Sequence, residues 1–300
     1  MNKYAFGVDI GGTTCKIGFF DTAGVLLDKW EIPTNTENAG KAILSDVARA
    51  IEGKLVAASI NKEDVQGIGV GVPGAVTEYR IVHGCENLGW ETVDVAGELE
   101  ALTGLPIKVE NDANMAVLGE MWKGGACGSK DVILATLGTG VGAGIISGGH
   151  IVTGAEGGAG EIGHMTVDYN ETEQCSCGKY GCLEQYASAT GIVRLAKRRG
   201  MQGTAKDIFD AAKAGDSDAL AVVDEVCKIL GIALANVASV VNPEIIVIGG
   251  GVSKAGDILI EHVQKHFDKY VFFACKNVKF TLATLGNDAG IWGCVRLLLN

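Results

Sequence analysis

Residues 5–25, AFGVDIGGTTCKIGFFDTAGV, read as strand, glycine turn, strand, glycine turn, and residues 132–152, VILATLGTGVGAGIISGGHIV, repeat that plan at an offset of 127. A repeated supersecondary unit restricts the chain to folds built from two copies of one plan. Strand-like and helix-like segments alternate around the two copies, which makes the class α/β. The first copy continues through VLLDKWEI as a β-meander, and an amphipathic helix over 37–58 follows with Ala42, Ile43, Val47, Ile51 and Leu55 on one face. A buried strand at 66–74 ends in the Pro73-Gly74 turn, a helix covers 94–103, and PIKVENDANMAVLGEMW reads as a strand entering a helix. After residue 152 the chain reads as helical apart from 244–253 and 278–285, with a long helix through Val223, Val226, Leu230, Leu234, Val237 and Val241, and a last helix capped by Asp288. The boundary is expected within the helix beginning near Ala113. This gives a small domain over 1–114, joined by the C-terminal helix 288–300, and a large domain over 115–287.

Three hundred residues suit two domains, and 47% apolar with 20% charged residues is globular composition. No apolar run is long enough for a membrane helix, and MNKYAFGVDIGG turns directly into strand-like sequence, so a cytoplasmic location is expected. A formal net charge of -11 argues against nucleic acid and anionic membranes as partners, because binding to either runs on clustered Lys and Arg. Of nine cysteines, Cys15, Cys85, Cys127, Cys227, Cys275 and Cys294 stand in apolar surroundings and read as small core residues.

An acidic chain can hold phosphate through backbone dipoles. Glycine turns such as Gly11-Gly12-Thr13-Thr14 and Gly138-Thr139-Gly140 point several N–H groups into one concavity, with threonine hydroxyls added. Lys16 lies within reach of a phosphate there if the strand exposes it. Asp9, just before the first turn, reads either as a turn cap or as a carboxylate acting through magnesium. Gly250 and Gly251 form a third strand-end cluster suited to a base or ribose lying on backbone.

ENDAN places Asn111 and Asp112 where a strand ends and a helix begins, the usual gathering point for ligand groups in open α/β sheets. Asp112 fits both a helix cap and a catalytic carboxylate. Further on, His164, Cys175, Cys177 and Cys182 form H-x10-C-x-C-x4-C, donors of the kinds zinc takes tetrahedrally; a redox pair and a disulfide are the competing readings.

Together DIGGTTCK, LGTGVGAG and IGGGV resemble the actin-like ATPase superfamily of the hexokinase, actin and chaperone type, with a ribonuclease H-like fold. The chain with GEIGH and CSCGKYGCLE resembles the glucokinase branch of the ROK family of bacterial repressors and sugar kinases. The resemblance implies two α/β domains with a nucleotide and sugar cleft between them. It implies phosphorylation of a hexose by ATP with Mg2+, most simply glucose to glucose 6-phosphate, with Asp112 as general base. It puts Gly74, Asn111, Asp112, Glu161, His164 and Glu184 on the sugar and assigns one structural Zn2+ to His164, Cys175, Cys177 and Cys182. A homodimer, or a tetramer, is expected by the same analogy. Mannose, N-acetylmannosamine, allose or fructose are alternative acceptors. A ROK sugar-responsive regulator without its DNA-binding domain is the other alternative; with strand sequence beginning by Tyr4, no preceding helix-turn-helix is expected. Met115 and Ala143 depart from the family pattern without removing an implied contact.

Overall fold

The computed structural model describes residues 3–299, which fall into two compact units. The first holds the described residues up to Gly124, Thr153–Ala159 and those from Asn287 on; the second holds Gly125–Val152 and Gly160–Gly286. The first unit thus runs to Gly124 instead of residue 114, since the helix after ENDAN stays whole within it.

In the first unit, β1 (Tyr4–Ile10), β2 (Thr14–Asp21) and β3 (Leu26–Pro33) form the expected meander. With β4 (Val65–Val72) and β8 (Ile107–Asn111) they make a five-stranded sheet of order β3-β2-β1-β4-β8, antiparallel across β1–β3 and parallel across β1, β4 and β8. The helix expected over 37–58 is broken: α1 (Glu37–Gly40) contains left-handed Asn38 and Ala39 and ends at Gly40 with φ +65°, and α2 (Ile43–Ala57) starts afresh. Ile43, Val47, Ile51 and Leu55 of α2 are buried as their spacing requires. A small sheet of β5 (Ala75–Thr77), β6 (Ile81–Cys85) and β7 (Trp90–Asp94) went unread in the sequence. Asp94 then caps α3 (Val95–Thr103) by accepting from the Gly97 N–H at 2.8 Å. The unit is completed by α4 (Asp112–Lys123) and, from the chain's end, a helix over Ala289–Leu299.

The second unit repeats the sheet plan. β9 (Val132–Leu137), β10 (Val141–Ser147), β11 (His150–Ile151), β12 (Ile245–Gly249) and β13 (Lys279–Leu282) are ordered β11-β10-β9-β12-β13, again antiparallel on the meander side and parallel beyond it. The repeat seen in the sequence is therefore a repeat of topology. Its helices are α5 (Glu184–Ala187), α6 (Ala189–Arg198), α7 (Ala205–Lys213), α8 (Ser217–Val241) and α9 (Asp257–Tyr270). Buried Val222, Val226, Leu230, Leu234 and Val237 line α8 and join Ile133, Ile246 and Phe267 in one core. The C-terminal helix of the first unit is α10 (Ala289–Leu299). Residues 152–183 are loop with one short 3-10 turn at Ile162–His164, not helix, because seven glycines and the cysteine cluster leave no apolar period there. Cys127 is exposed, contrary to its reading as a core residue, whereas Cys15, Cys85, Cys227, Cys275 and Cys294 are buried.

Candidate functional site

Parallel strands β1, β4 and β8 deliver Ile10, Val72 and Asn111, their last residues, to the same end of the sheet, as parallel register dictates. Asn111, not Asp112, is the N-cap of α4: its Oδ1 accepts from the Ala113 and Asn114 N–H groups at 2.9 and 3.2 Å. One of its amide hydrogens goes to the Gly74 carbonyl at 3.1 Å. Gly74 has φ +110°, a conformation that favours glycine. Glu110 lies beneath, buried, accepting from the Asn111 N–H at 2.8 Å and from Asn114 Nδ2 at 3.1 Å; burial pushes its pKa up. With the cap role filled by its neighbour, Asp112 is exposed in the first helical turn, its Oδ1 accepting from the Ala113 N–H at 2.8 Å.

The β1–β2 turn is closed by Gly11 N–H donating to the Thr14 carbonyl at 3.0 Å, with Gly12 and Thr13 exposed at its tip. Lys16 Nζ donates to the Asn287 carbonyl at 3.0 Å. Asp9 is buried enough that its pKa is raised, with Lys16 pulling it back toward the charged form. A carboxylate in that state is a hard oxygen donor that fits magnesium, since a nearby cation would favour its ionised form. Asn87 escaped the sequence reading. The site facing Gly12 is bounded by the Asn87 backbone and Cβ, 3.6–3.7 Å from where a Cβ on Gly12 would stand. Two residues earlier, Cys85 lies close enough to Asp112 for that charge to add to burial in raising its thiol pKa. CENLG carries no periodicity that would have marked it.

In the second unit, the β9–β10 turn is closed by Gly138 N–H donating to the Gly140 carbonyl at 3.0 Å, and Thr190 Oγ1 braces the Thr139 carbonyl at 3.0 Å. A Cβ on Gly140 would stand 2.7 Å from Glu184 Oε2, so the glycine turn and this carboxylate share one surface. Gly250, with φ +80°, follows β12 against the Leu137 backbone, and Gly251 opens the next 3-10 turn. Glu161 precedes the turn containing His164 and is exposed.

The imidazole and three thiols do converge: one donor atom each of His164, Cys175, Cys177 and Cys182 lies within 4.8 Å of the others. Cys177 and Cys182 Sγ are 3.6 Å apart, and Cys175 Sγ is 4.0 Å from His164 Nδ1. A tetrahedral ion with thiolate bonds of ~2.3 Å spaces its ligands ~3.8 Å apart, so the set fits zinc. Four protein donors leave no position for substrate. Cys175 Sγ also donates to Glu184 Oε1 at 2.9 Å; burial and that acceptor push its pKa up to about 12. Burial works the same way on Cys177, but the Lys179 N–H and the neighbouring thiols bring it below the usual thiol range. A clasp of Glu171, Tyr186 and Arg194 secures the loop from behind.

Two mixed sheets of one strand order, each opening on a glycine hairpin, define the α/β sugar-kinase fold of the actin-like ATPase superfamily. Within that class the chain belongs to the ROK family, whose sequence profile matches residues 5–300. It is 46% identical over 310 residues to a glucokinase of Halalkalibacterium halodurans, covering 97% of this chain and 94% of that protein. A ROK hexokinase from Thermus thermophilus superposes with a TM-score of 0.84 at 30% identity, covering 98% of this chain and 97% of the other. A ROK family glucokinase from Streptomyces griseus, solved in complex with glucose and AMPPNP, gives a TM-score of 0.78 at 33% identity and covers 98% of each chain. Among the described residues no helix is long and apolar enough to cross a membrane.

Proposed function

We infer that this protein is an ATP-dependent hexose kinase that converts glucose to glucose 6-phosphate. Its likeness to glucokinases over nearly the whole chain carries the reading. The exposed position of Asp112 in the first turn of α4, directly after the Asn111 cap, supports its role. In the proposed step the oxygen of the sugar 6-hydroxyl bonds to the γ-phosphorus as the bond to the β,γ-bridging oxygen breaks. The hydroxyl proton passes to Asp112 and ADP leaves. The transition state is loose, so positioning and charge neutralisation supply most of the acceleration.

Backbone N–H groups and hydroxyls of Gly12, Thr13, Thr14, Thr139 and Gly140 take the phosphates, Gly138 keeping the second turn closed through its own N–H, and Gly250 and Gly251 take the nucleoside. Gly11 keeps the first turn closed through its own N–H. Lys16 supplies positive charge beside Asp9. Magnesium bound with ATP would neutralise phosphate charge, with Asp9 on its side of the site. Asn111, Asp112, Glu161, His164 and Glu184 meet the hexose hydroxyls. His164 fits that double duty, since Nδ1 faces the thiols and leaves Nε2 for hydrogen bonding. Zinc held by His164, Cys175, Cys177 and Cys182 would be structural, fixing the loop that carries Glu161 and Glu184.

A coupled assay of ADP release with MgATP and separate hexoses tests the reading. Release with glucose, absent without sugar and weaker with mannose, allose, fructose and N-acetylmannosamine, is expected. ADP release indifferent to glucose refutes it. Asp112→Asn lowers kcat by about 10²–10⁴-fold with thermal unfolding unchanged; near-normal kcat in that variant removes the general-base role.

A further inference from the structure

Alternation along β1 puts Gly7 and Asp9 on one face, and α10 packs against that strand. A Cβ on Gly7 would stand 2.2 Å from the Ile291 carbonyl oxygen, so the strand touches the helix backbone itself there. Two residues further along β1, and one residue back along α10, the side chain comes from the strand instead. A Cβ built on Gly290 would stand 2.9 Å from Cγ, 3.0 Å from Oδ2 and 3.3 Å from Cβ of Asp9. Its three nearest neighbours are thus all atoms of one carboxylate side chain. The other close glycines of this helix region differ: Gly293 meets the Met115 backbone and Gly119 the Ala289 backbone.

Backbone conformation does not demand glycine at 290. It is the second residue of α10, it is not among the positive-φ glycines, and alanine forms helix more readily than glycine. What position 290 withholds is a methyl group, and the Asp9 carboxyl occupies that space. The first turn of a helix also presents unsatisfied N–H groups, whose dipoles favour a carboxylate laid against them.

We propose that Gly290 is a positioning residue for Asp9: its bare Cα lets the carboxylate seat against the first turn of α10, which sets where its oxygens meet the phosphate side of MgATP. This deepens the reading of Asp9 given above and rests on it. A methyl at 290 pushes Asp9 forward by part of an ångström or turns it to another rotamer. Misplacement on that scale costs on the order of ten- to a hundredfold in rate. The same methyl favours the helix, so activity and stability move in opposite directions, which a packing role for the glycine does not produce.

The test uses full-length Gly290→Ala, Asp9→Asn and the double variant. Gly290→Ala is expected to lower kcat/KM for MgATP about tenfold or more and to weaken MgADP binding in fluorescence titrations. KM for glucose stays within about twofold, and the melting temperature without nucleotide is equal to or above wild type. Because the effect passes through Asp9, the double variant is no slower than Asp9→Asn alone. Wild-type MgATP kinetics in Gly290→Ala, a melting temperature well below wild type, or losses that add in the double variant overturn the inference. Wild-type MgATP kinetics in Asp9→Asn instead overturns the reading of Asp9, and the inference falls with it.

Discussion

Glu171 offers a stability test with a defined sign and pH window. Its side chain is 4% exposed, yet its carboxylate accepts from the Thr172 and Glu173 N–H groups at 3.0 and 3.1 Å, from the Tyr186 hydroxyl at 2.7 Å and from Arg194 Nη1 at 2.9 Å. Burial alone would raise its pKa, but these bonds win and hold it at about 2, against 4.5 for an ordinary glutamate. The fall corresponds to about 3 kcal/mol of folding free energy. Being depressed, the group stabilises the fold fully above pH 4.5 and loses that contribution as pH falls toward 2. Glu171→Gln is therefore expected to cost about 3 kcal/mol in urea unfolding at pH 7, with the same cost at pH 5.5. Below pH 4.5 the gap between the two proteins narrows by about 1.4 kcal/mol per pH unit. Acid effects common to both cancel in that difference. A cost under about 1 kcal/mol at pH 7, or a gap already narrowing between pH 7 and 5.5, refutes the account. The clasp also bears on function. Arg194 Nε donates to the Gln185 carbonyl at 3.1 Å, and Gln185 Oε1 accepts from the Cys182 N–H at 3.0 Å, so the variant should raise KM for glucose more than it lowers kcat.

Removing the metal, by chelation or by Cys177→Ser, should lower the melting temperature by on the order of 5–10 °C and raise KM for glucose in parallel; loss of neither defeats the metal reading. Glycines divide by what surrounds them. Gly181 has φ +70°, and its Cβ would stand 1.8 Å from the Asp168 carbonyl oxygen, so Gly181→Ala should destabilise by more than about 2 kcal/mol in chemical denaturation. Gly53 lies inside α2 with nothing within 4 Å of a Cβ, and Gly53→Ala should stabilise by about 0.5–1 kcal/mol; a loss there would contradict the packing described.

What the sequence made legible follows from how each signal is encoded. The two sheets could be read because glycine turns between apolar strands recur at 127 residues, and the repeat became the shared order β3-β2-β1-β4 and β11-β10-β9-β12. The ROK resemblance and the kinase class rested on motifs contiguous in the chain, and the full-length match bears both out. Signals that depend on distant partners were lost. β5–β7 are three to five residues each, too short to establish a period, and β6 pairs with both neighbours through register alone. The break before α2 comes from left-handed Asn38 and Ala39 within the short turn α1, where composition reads as helix. Asp112 and Asn111 could not be told apart as caps from sequence, because both side chains accept hydrogen bonds from the first helical turn. Geometry separates them: Asn111 is held by Gly74 across 37 residues, and that tether aims its Oδ1 at the helix end. The same reasoning distinguishes the thiols. Cys127 and Cys227 both sit in apolar-looking sequence, but only Cys227 faces a core, as part of the α8 stripe. A residue's chemistry was readable where its partners lay within a few positions, and its job was readable only where the fold had already chosen which neighbour it would serve.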